Sequence, residues 1–201
     1  MKRLFVVLIY FAALQTTFAQ TLSTGERKFL IDLLEENSKK FLTKIEQVSD
    51  EQWRFKPSSD KWSVGDIAEH ITISEGFLFS IAQKLLQSLP DPEKAKNLEG
   101  NEQRILAKAM DRTTKAQAPE PIKPQGKFTS KFELIAAFKA AREKTITYIK
   151  TTSDPLKNHV APHPAVGDLT AYQWLVWIVA HANRHDAQLE EVKANRNFPK
   201  I

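Results

Sequence analysis

Four long stretches of the sequence repeat apolar residues at intervals of three and four, and this pattern constrains the fold more than any other feature. They cover residues 23–48, 63–89, 130–151 and 170–194. Such spacing places apolar side chains on one face of an α-helix, which must then be buried against other helices. Ser23 with Glu26 and Ser63 with Asp66 have the spacing of helix N-terminal caps. No alternating pattern is long enough to predict a strand, so the sequence predicts an all-α protein.

A long segment, residues 91–127, connects the second predicted helix to the third. It contains a short helical pattern near Glu102 to Met110, followed by the proline-rich run A-P-E-P-I-K-P-Q-G. Proline favours an extended backbone, so this run is predicted to form an extended strap. A long crossover allows neighbouring helices of a bundle to run parallel. The sequence therefore predicts a four-helix bundle with a long crossover between helices two and three.

The first 19 residues have the pattern of a secretory signal peptide. Lys2 and Arg3 precede an apolar run from Leu4 to Leu14, and Ala19 ends a stretch suited to signal-peptidase cleavage. The apolar run is shorter than the ~20 residues that a spanning helix needs, although an uncleaved anchor is the alternative. We therefore expect residues 20–201 to form one domain of a periplasmic or secreted protein, with no membrane span after cleavage.

Charge and cysteine content exclude several functions. The chain has 29 basic and 24 acidic residues, so removal of Lys2 and Arg3 leaves 27 against 24. These charges are scattered, with no basic block that would predict binding to nucleic acid. The chain has no cysteine, which excludes a cysteine nucleophile and thiolate metal ligands.

Two histidines on the last predicted helix, His181 and His185, are four residues apart and therefore lie on one face. His70 lies on the apolar face of the second predicted helix. Buried imidazoles need polar partners, and a bundle can bring three of them from facing helices to one metal ion. Independent core histidines are the alternative. His159 and His163 lie in a proline-rich loop, where a surface or packing role is expected.

Four further residues were assigned to the pocket or to the support of the metal ligands. Asp66 could orient the ring of His70, and Ser74 and Gln188 could face a substrate, but each could equally be an ordinary polar group. Trp177 could be a pocket wall, although core packing is the simpler interpretation. Arg184 is predicted to extend to the surface. The H-A-N-R-H pattern lacks the glutamate of H-E-x-x-H, so no catalytic acid or base is assigned.

Three segments resemble the DinB-like superfamily: W-S-V-G-D-I-A-E-H at 62–70, P-E-P-I-K-P-Q-G-K-F at 119–128, and residues 169–188. The resemblance implies a four-helix bundle, often a homodimer, that binds a divalent metal through His70, His181 and His185. Imidazole ligands are compatible with zinc, nickel, iron or manganese.

Three imidazoles leave coordination positions open for water or substrate, unlike a closed structural site. The resemblance therefore implies a metal-dependent hydrolase or transferase that acts on a small molecule. Export favours the hydrolase, because the thiol cosubstrates of related transferases are mainly cytosolic. A non-catalytic metal- or ligand-binding module is the alternative. Contact with DNA is suggested only by the family name, and the scattered charge argues against it.

Overall fold

The computed structural model describes residues 21–113 and 117–200, so the predicted signal peptide lies outside the described residues. Seven α-helices and one two-stranded sheet make up the described part. The helices are α1 (Thr24–Glu46), α2 (Asp50–Arg54), α3 (Val64–Leu85), α4 (Pro92–Lys96), α5 (Glu102–Met110), α6 (Lys131–Thr151) and α7 (Ala171–Lys193). The four long helices α1, α3, α6 and α7 correspond to the four predicted ones and form the bundle. In the described part of the chain, no helix is both long and apolar enough to cross a membrane.

The long helices begin where the sequence predicts, because capping side chains satisfy backbone groups there. The Ser23 hydroxyl accepts from the Glu26 N–H at 3.2 Å, and the Glu26 carboxylate accepts from the Ser23 N–H at 2.8 Å. Ser63 and Asp66 make the same reciprocal pair at 3.0 and 2.9 Å. Each cap satisfies a donor that the first helical turn leaves unpaired.

Helices α1 and α3 each pack against both α6 and α7. The core has two apolar clusters along the bundle, and α7 contributes to both. One cluster includes the α7 residues up to Ala180, and the other begins at Ala182. His181 therefore lies where the two clusters meet, and there a polar ring interrupts the apolar packing.

The crossover contains more helix than the sequence predicts. Its segment Glu102–Met110 is helical as predicted and packs against α7, but the short α4 precedes it and a 3-10 helix, Glu120–Ile122, interrupts the strap. Arg184 of α7 donates to the carbonyls of Ala109 and Asp111. The sequence predicts that Arg184 extends to the surface; the structure gives it intermediate burial, with its guanidinium at the end of α5, where the last carbonyls of that helix lack helical partners.

A short hairpin of two strands and one short helix contradict the sequence analysis. Strands β1 (Val160–His163) and β2 (Gly167–Thr170) form an antiparallel hairpin in the predicted loop before α7. Pro162 within β1 conceals the strand pattern, since proline is confined to sheet edges. Gly167 has φ +83°, a backbone conformation that favours glycine. Helix α2 was also predicted as loop, because five residues are too few to show a helical period.

Candidate metal centre

The structure brings the imidazoles of His70, His181 and His185 together between α3 and α7. The Nε2 atom of His70 lies 3.2 Å from Nε2 of His181 and 3.1 Å from Nε2 of His185. Two nitrogens that share one ion at ~2.0–2.1 Å are expected about 3.0–3.4 Å apart. These three side chains therefore form a group that could hold a metal ion.

A backbone carbonyl fixes the ring of His70. Its Nδ1 lies 2.6 Å from the carbonyl oxygen of Ile122, which belongs to the strap. A carbonyl oxygen can only accept, so the imidazole proton is on Nδ1. The lone pair on Nε2 is then directed at the other two rings, which is the tautomer that a metal ligand needs.

Gln188 has the same effect on His185. Its side-chain oxygen lies 2.9 Å from Nδ1 of His185, one turn earlier on α7. The ring therefore donates from Nδ1 and has its lone pair on Nε2. Gln188, which the sequence analysis placed near the site, is thus in contact with one ring of the group.

Burial keeps the three imidazoles neutral. Burial away from solvent is the main cause of the lowered pKa of each ring. The charges of neighbouring histidines lower the pKa of His181 and His185 further. The pKa of His185 falls to about 3. Neutral imidazoles are the form that coordinates a metal, so near pH 7 no proton has to be removed before an ion binds.

Two tryptophans lie beside the rings. The centroid of Trp62 lies 4.9 Å from that of His70, and the centroid of Trp177 lies 6.5 Å from that of His181. Trp177 is only 6% exposed, as its core-packing interpretation requires. The His163 ring packs against Trp177 at 4.2 Å, and burial lowers its pKa to about 4. His159 is buried, so both loop histidines have packing contacts rather than free surface positions.

Asp66 does not contact the ring of His70. Its carboxylate accepts from the Ser63 N–H at 2.9 Å and pairs with Nζ of Lys56 at 2.9 Å. The Ile122 carbonyl, not Asp66, is the hydrogen-bond partner at Nδ1 of His70. Of the two interpretations left open for Asp66, its contacts fit the ordinary polar group, since its carboxylate caps α3.

Ser74 is buried one turn after His70, and its hydroxyl has no hydrogen-bond partner among the described residues. Thr72 on the same helix instead donates to the Ala68 carbonyl. Ser74 is therefore a buried polar group one helical turn from His70 for which the described residues provide no hydrogen-bond partner.

Sequence reasoning missed three residues at this site: Trp62, Ile122 and Glu69. Glu69 is 5% exposed, and its carboxylate accepts from the backbone N–H groups of Gln125, Gly126 and Lys127. Glu69 and Trp62 stand within the motif around His70, but their roles depend on contacts with distant segments. Ile122 contacts His70 through its backbone carbonyl, so the identity of its side chain could not indicate this role.

A separate cavity of about 310 Å³ lies near the start of α7, and its lining includes Glu26, Lys157 and Tyr172. Glu26 and Lys157 form an ion pair at 2.9 Å, so their charges are matched there. We therefore place the candidate chemistry at the histidine group, where the Nε2 atoms of three imidazoles converge. His181 and His185 are intermediate in burial, whereas His70 is buried.

Comparison with known proteins places this chain in a family. The model of the DinB superfamily matches residues 33–189, a range that includes all three histidines. The uncharacterized protein YuaE of Bacillus subtilis (strain 168) is 29% identical over 149 residues, covering 74% of this chain and 88% of YuaE. YfiT from Bacillus subtilis, described as a probable metal-dependent hydrolase with an unusual four-helix bundle topology, has a similar fold. Its TM-score is 0.54 at 15% identity, covering 90% of this chain and 93% of YfiT. The chain belongs to the DinB superfamily.

Proposed function

We propose that the protein binds a divalent metal ion through Nε2 of His70, His181 and His185 and hydrolyses a small molecule at that ion. The observation that carries this proposal is the convergence of three Nε2 atoms, with separations of 3.1 and 3.2 Å from His70. Because His70 and His185 both donate from Nδ1, their Nε2 lone pairs face each other at 3.1 Å and repel, and a cation between them would remove that repulsion. The description of YfiT as a probable metal-dependent hydrolase supports hydrolysis over group transfer.

Each residue of the site has a separate proposed role. His70, His181 and His185 hold the ion, while Ile122 and Gln188 keep two of the rings in the ligating tautomer. A divalent ion held by these three neutral imidazoles would supply Lewis acidity and would lower the pKa of a bound water. The Ser74 hydroxyl, buried beside the group, is the side chain that we propose to bind a polar atom of the substrate. The ligand set does not select among zinc, nickel, iron and manganese.

A metal-binding module without turnover is the second candidate, and one observation favours it. The polar groups that contact the rings, from Ile122 and Gln188, hold the imidazoles in place rather than face an open coordination position. Among the described residues, no carboxylate joins the three imidazoles in the candidate group.

The metal content of the purified protein tests the proposal. The wild-type protein should retain about one metal ion per chain, and His185→Ala should lose most of it. His159→Ala, which removes a buried imidazole outside the group, is the matched control and should retain the ion. Equal retention by the two variants would refute the site. A screen of small ester, amide and phosphate substrates, with and without chelator, then separates an enzyme from a binding module.

We also propose that residues 1–19 direct export and that residues 20–201 act in the periplasm or outside the cell. The proposal is supported by the charged start and the apolar run from Leu4 to Leu14. The intact mass of the protein recovered from the periplasm or medium should correspond to a chain that begins at Gln20. A chain that retains Met1 would contradict it.

A further inference from the structure

The carboxylate of Glu69 is enclosed by the backbone of the strap. Three successive N–H groups, from Gln125, Gly126 and Lys127, donate to it at 2.8, 3.0 and 3.1 Å. Successive N–H groups that turn toward one point form an anion-binding concavity. Gly126 has φ +68°, the left-handed conformation that such a turn uses. The strap therefore folds around a negative charge that α3 provides.

The next residue of α3 contacts the same strap. His70 donates from Nδ1 to the carbonyl of Ile122, three residues before Gln125, and the Ile122 side chain is 4% exposed. Two neighbouring side chains of α3 thus hold the strap at two points. The contact with Glu69 fixes the backbone of the strap. The contact with His70 then uses a carbonyl of that backbone to orient the His70 ring.

We propose that Glu69 is a positioning residue for the metal centre and that it makes the order of the strap depend on metal binding. By fixing residues 125–127, it keeps the Ile122 carbonyl in place and so keeps the His70 proton on Nδ1. Coupling of this kind is reciprocal, so a bound ion also holds the strap closed on α3. This inference rests on the proposed function, because it requires that a metal ion binds to the three histidines.

Glu69→Gln tests the proposal with little change of shape. Its remaining oxygen can replace Oε1, which accepts from Gln125 and Lys127, but its NH₂ group would face the Gly126 N–H. Loss of such outer contacts typically costs 10–100-fold in metal affinity, so we expect zinc to bind about tenfold more weakly. A competition titration with a chromophoric chelator measures this change.

A matched pair of glycines tests the same coupling from the strap. Gly126 (φ +68°) and Gly100 (φ +75°) both have room for a Cβ atom, and both lie in the crossover. Alanine at either position bears a similar conformational cost. Gly126→Ala should weaken zinc binding several-fold, whereas Gly100→Ala should leave it at the wild-type value. Equal effects of the two variants would show general destabilisation and overturn the proposal.

The tautomer of His70 gives a readout that a merely structural role would not change. In metal-free wild-type protein, ¹⁵N chemical shifts should report a proton on Nδ1 of His70, and Glu69→Gln should give a mixture of tautomers while His185 stays unchanged. An unaltered His70 tautomer together with wild-type zinc affinity would overturn the proposal. If the wild-type protein bound none of zinc, nickel, iron and manganese, the proposed function would fail, and the tautomer would still decide whether Glu69 positions His70.

Discussion

Arg142 of α6 and Glu75 of α3 form a two-point ion pair inside the bundle, with Nε–Oε1 at 3.0 Å and Nη2–Oε2 at 2.9 Å. The side chains of Arg142 and Glu75 are 3% and 1% exposed. Arg142 also donates to the Leu34 carbonyl at 2.6 Å and to Oδ1 of Asn37 at 3.0 Å, and Asn37 donates to Asn183 of α7. One polar network therefore joins all four long helices next to the segment that carries the histidines.

Arg142→Leu should destabilise the protein strongly, because it leaves the Glu75 carboxylate buried without its partner. Removal of one member of a buried pair typically costs about 3–5 kcal/mol in the free energy of unfolding. The double variant with Glu75→Leu should regain most of this loss. Urea unfolding provides the measurement. Lys28→Ala, which breaks an ion pair with side chains 74% and 58% exposed, is the control and should change stability by less than about 1 kcal/mol. An Arg142→Leu protein as stable as this control would contradict the prediction.

The metal-free protein should lose stability as the pH is lowered below 6.5. Burial holds the pKa of His70, His181 and His185 below the ordinary value of 6.5, and that of His185 at about 3. Below pH 6.5 the unfolded chain binds protons that the folded chain does not, so the free energy of unfolding falls with pH. Chemical denaturation at pH 7, 6 and 5 in the presence of a chelator measures the slope.

His185→Asn separates this effect from the carboxylates, which are common to both proteins. The variant has one fewer buried imidazole that resists protonation, so its stability should fall less steeply between pH 6.5 and 5. Identical slopes for the variant and the wild type would show that His185 does not contribute.

Gln188→Leu should weaken metal binding because it removes the acceptor for the Nδ1 proton of His185. The expected loss of zinc affinity is about tenfold, the lower end of the range for such outer contacts. Gln87→Leu, at an exposed glutamine beyond the end of α3, is the control for the change of residue type. Isothermal titration with zinc compares the three proteins, and wild-type affinity in Gln188→Leu would remove this residue from the support of the site.

Alanine substitutions at two glycines of α3 should change the stability of the protein in opposite directions. A Cβ atom at Gly65 would lie 2.6 Å from Nε1 of Trp53, so Gly65→Ala must displace that ring at an expected cost of about 1–3 kcal/mol. A Cβ atom at Gly76 would meet no neighbouring atom, so Gly76→Ala should raise the free energy of unfolding by about 0.5–1 kcal/mol because alanine has the higher helix propensity. Thermal unfolding shows whether each variant is more or less stable than the wild type. A Gly65→Ala protein more stable than the wild type would show that Trp53 is not packed as described.

The long helices and the placement of His181 and His185 on one face were predictable because both depend on periodicity within a segment. The convergence of His70 with this pair was expected from the resemblance to the DinB-like superfamily, since spacing alone left independent core histidines open. Caps such as Ser63 and a four-residue spacing such as His181 to His185 are local signals. The support of the site was not predictable in this way. The contacts of Glu69 with the strap span 56 to 58 residues of sequence, and the Ile122 carbonyl carries no side-chain signal. The hairpin was missed because Pro162 occupies one of its strands.

X-ray absorption at the metal edge of the loaded protein tests most directly whether the three imidazoles share one ion. For zinc, the spectrum should show three imidazole nitrogens at about 2.0–2.1 Å, with the remaining position filled by an oxygen. A first shell made of oxygens alone, or one with a single imidazole, would contradict the joint coordination by His70, His181 and His185.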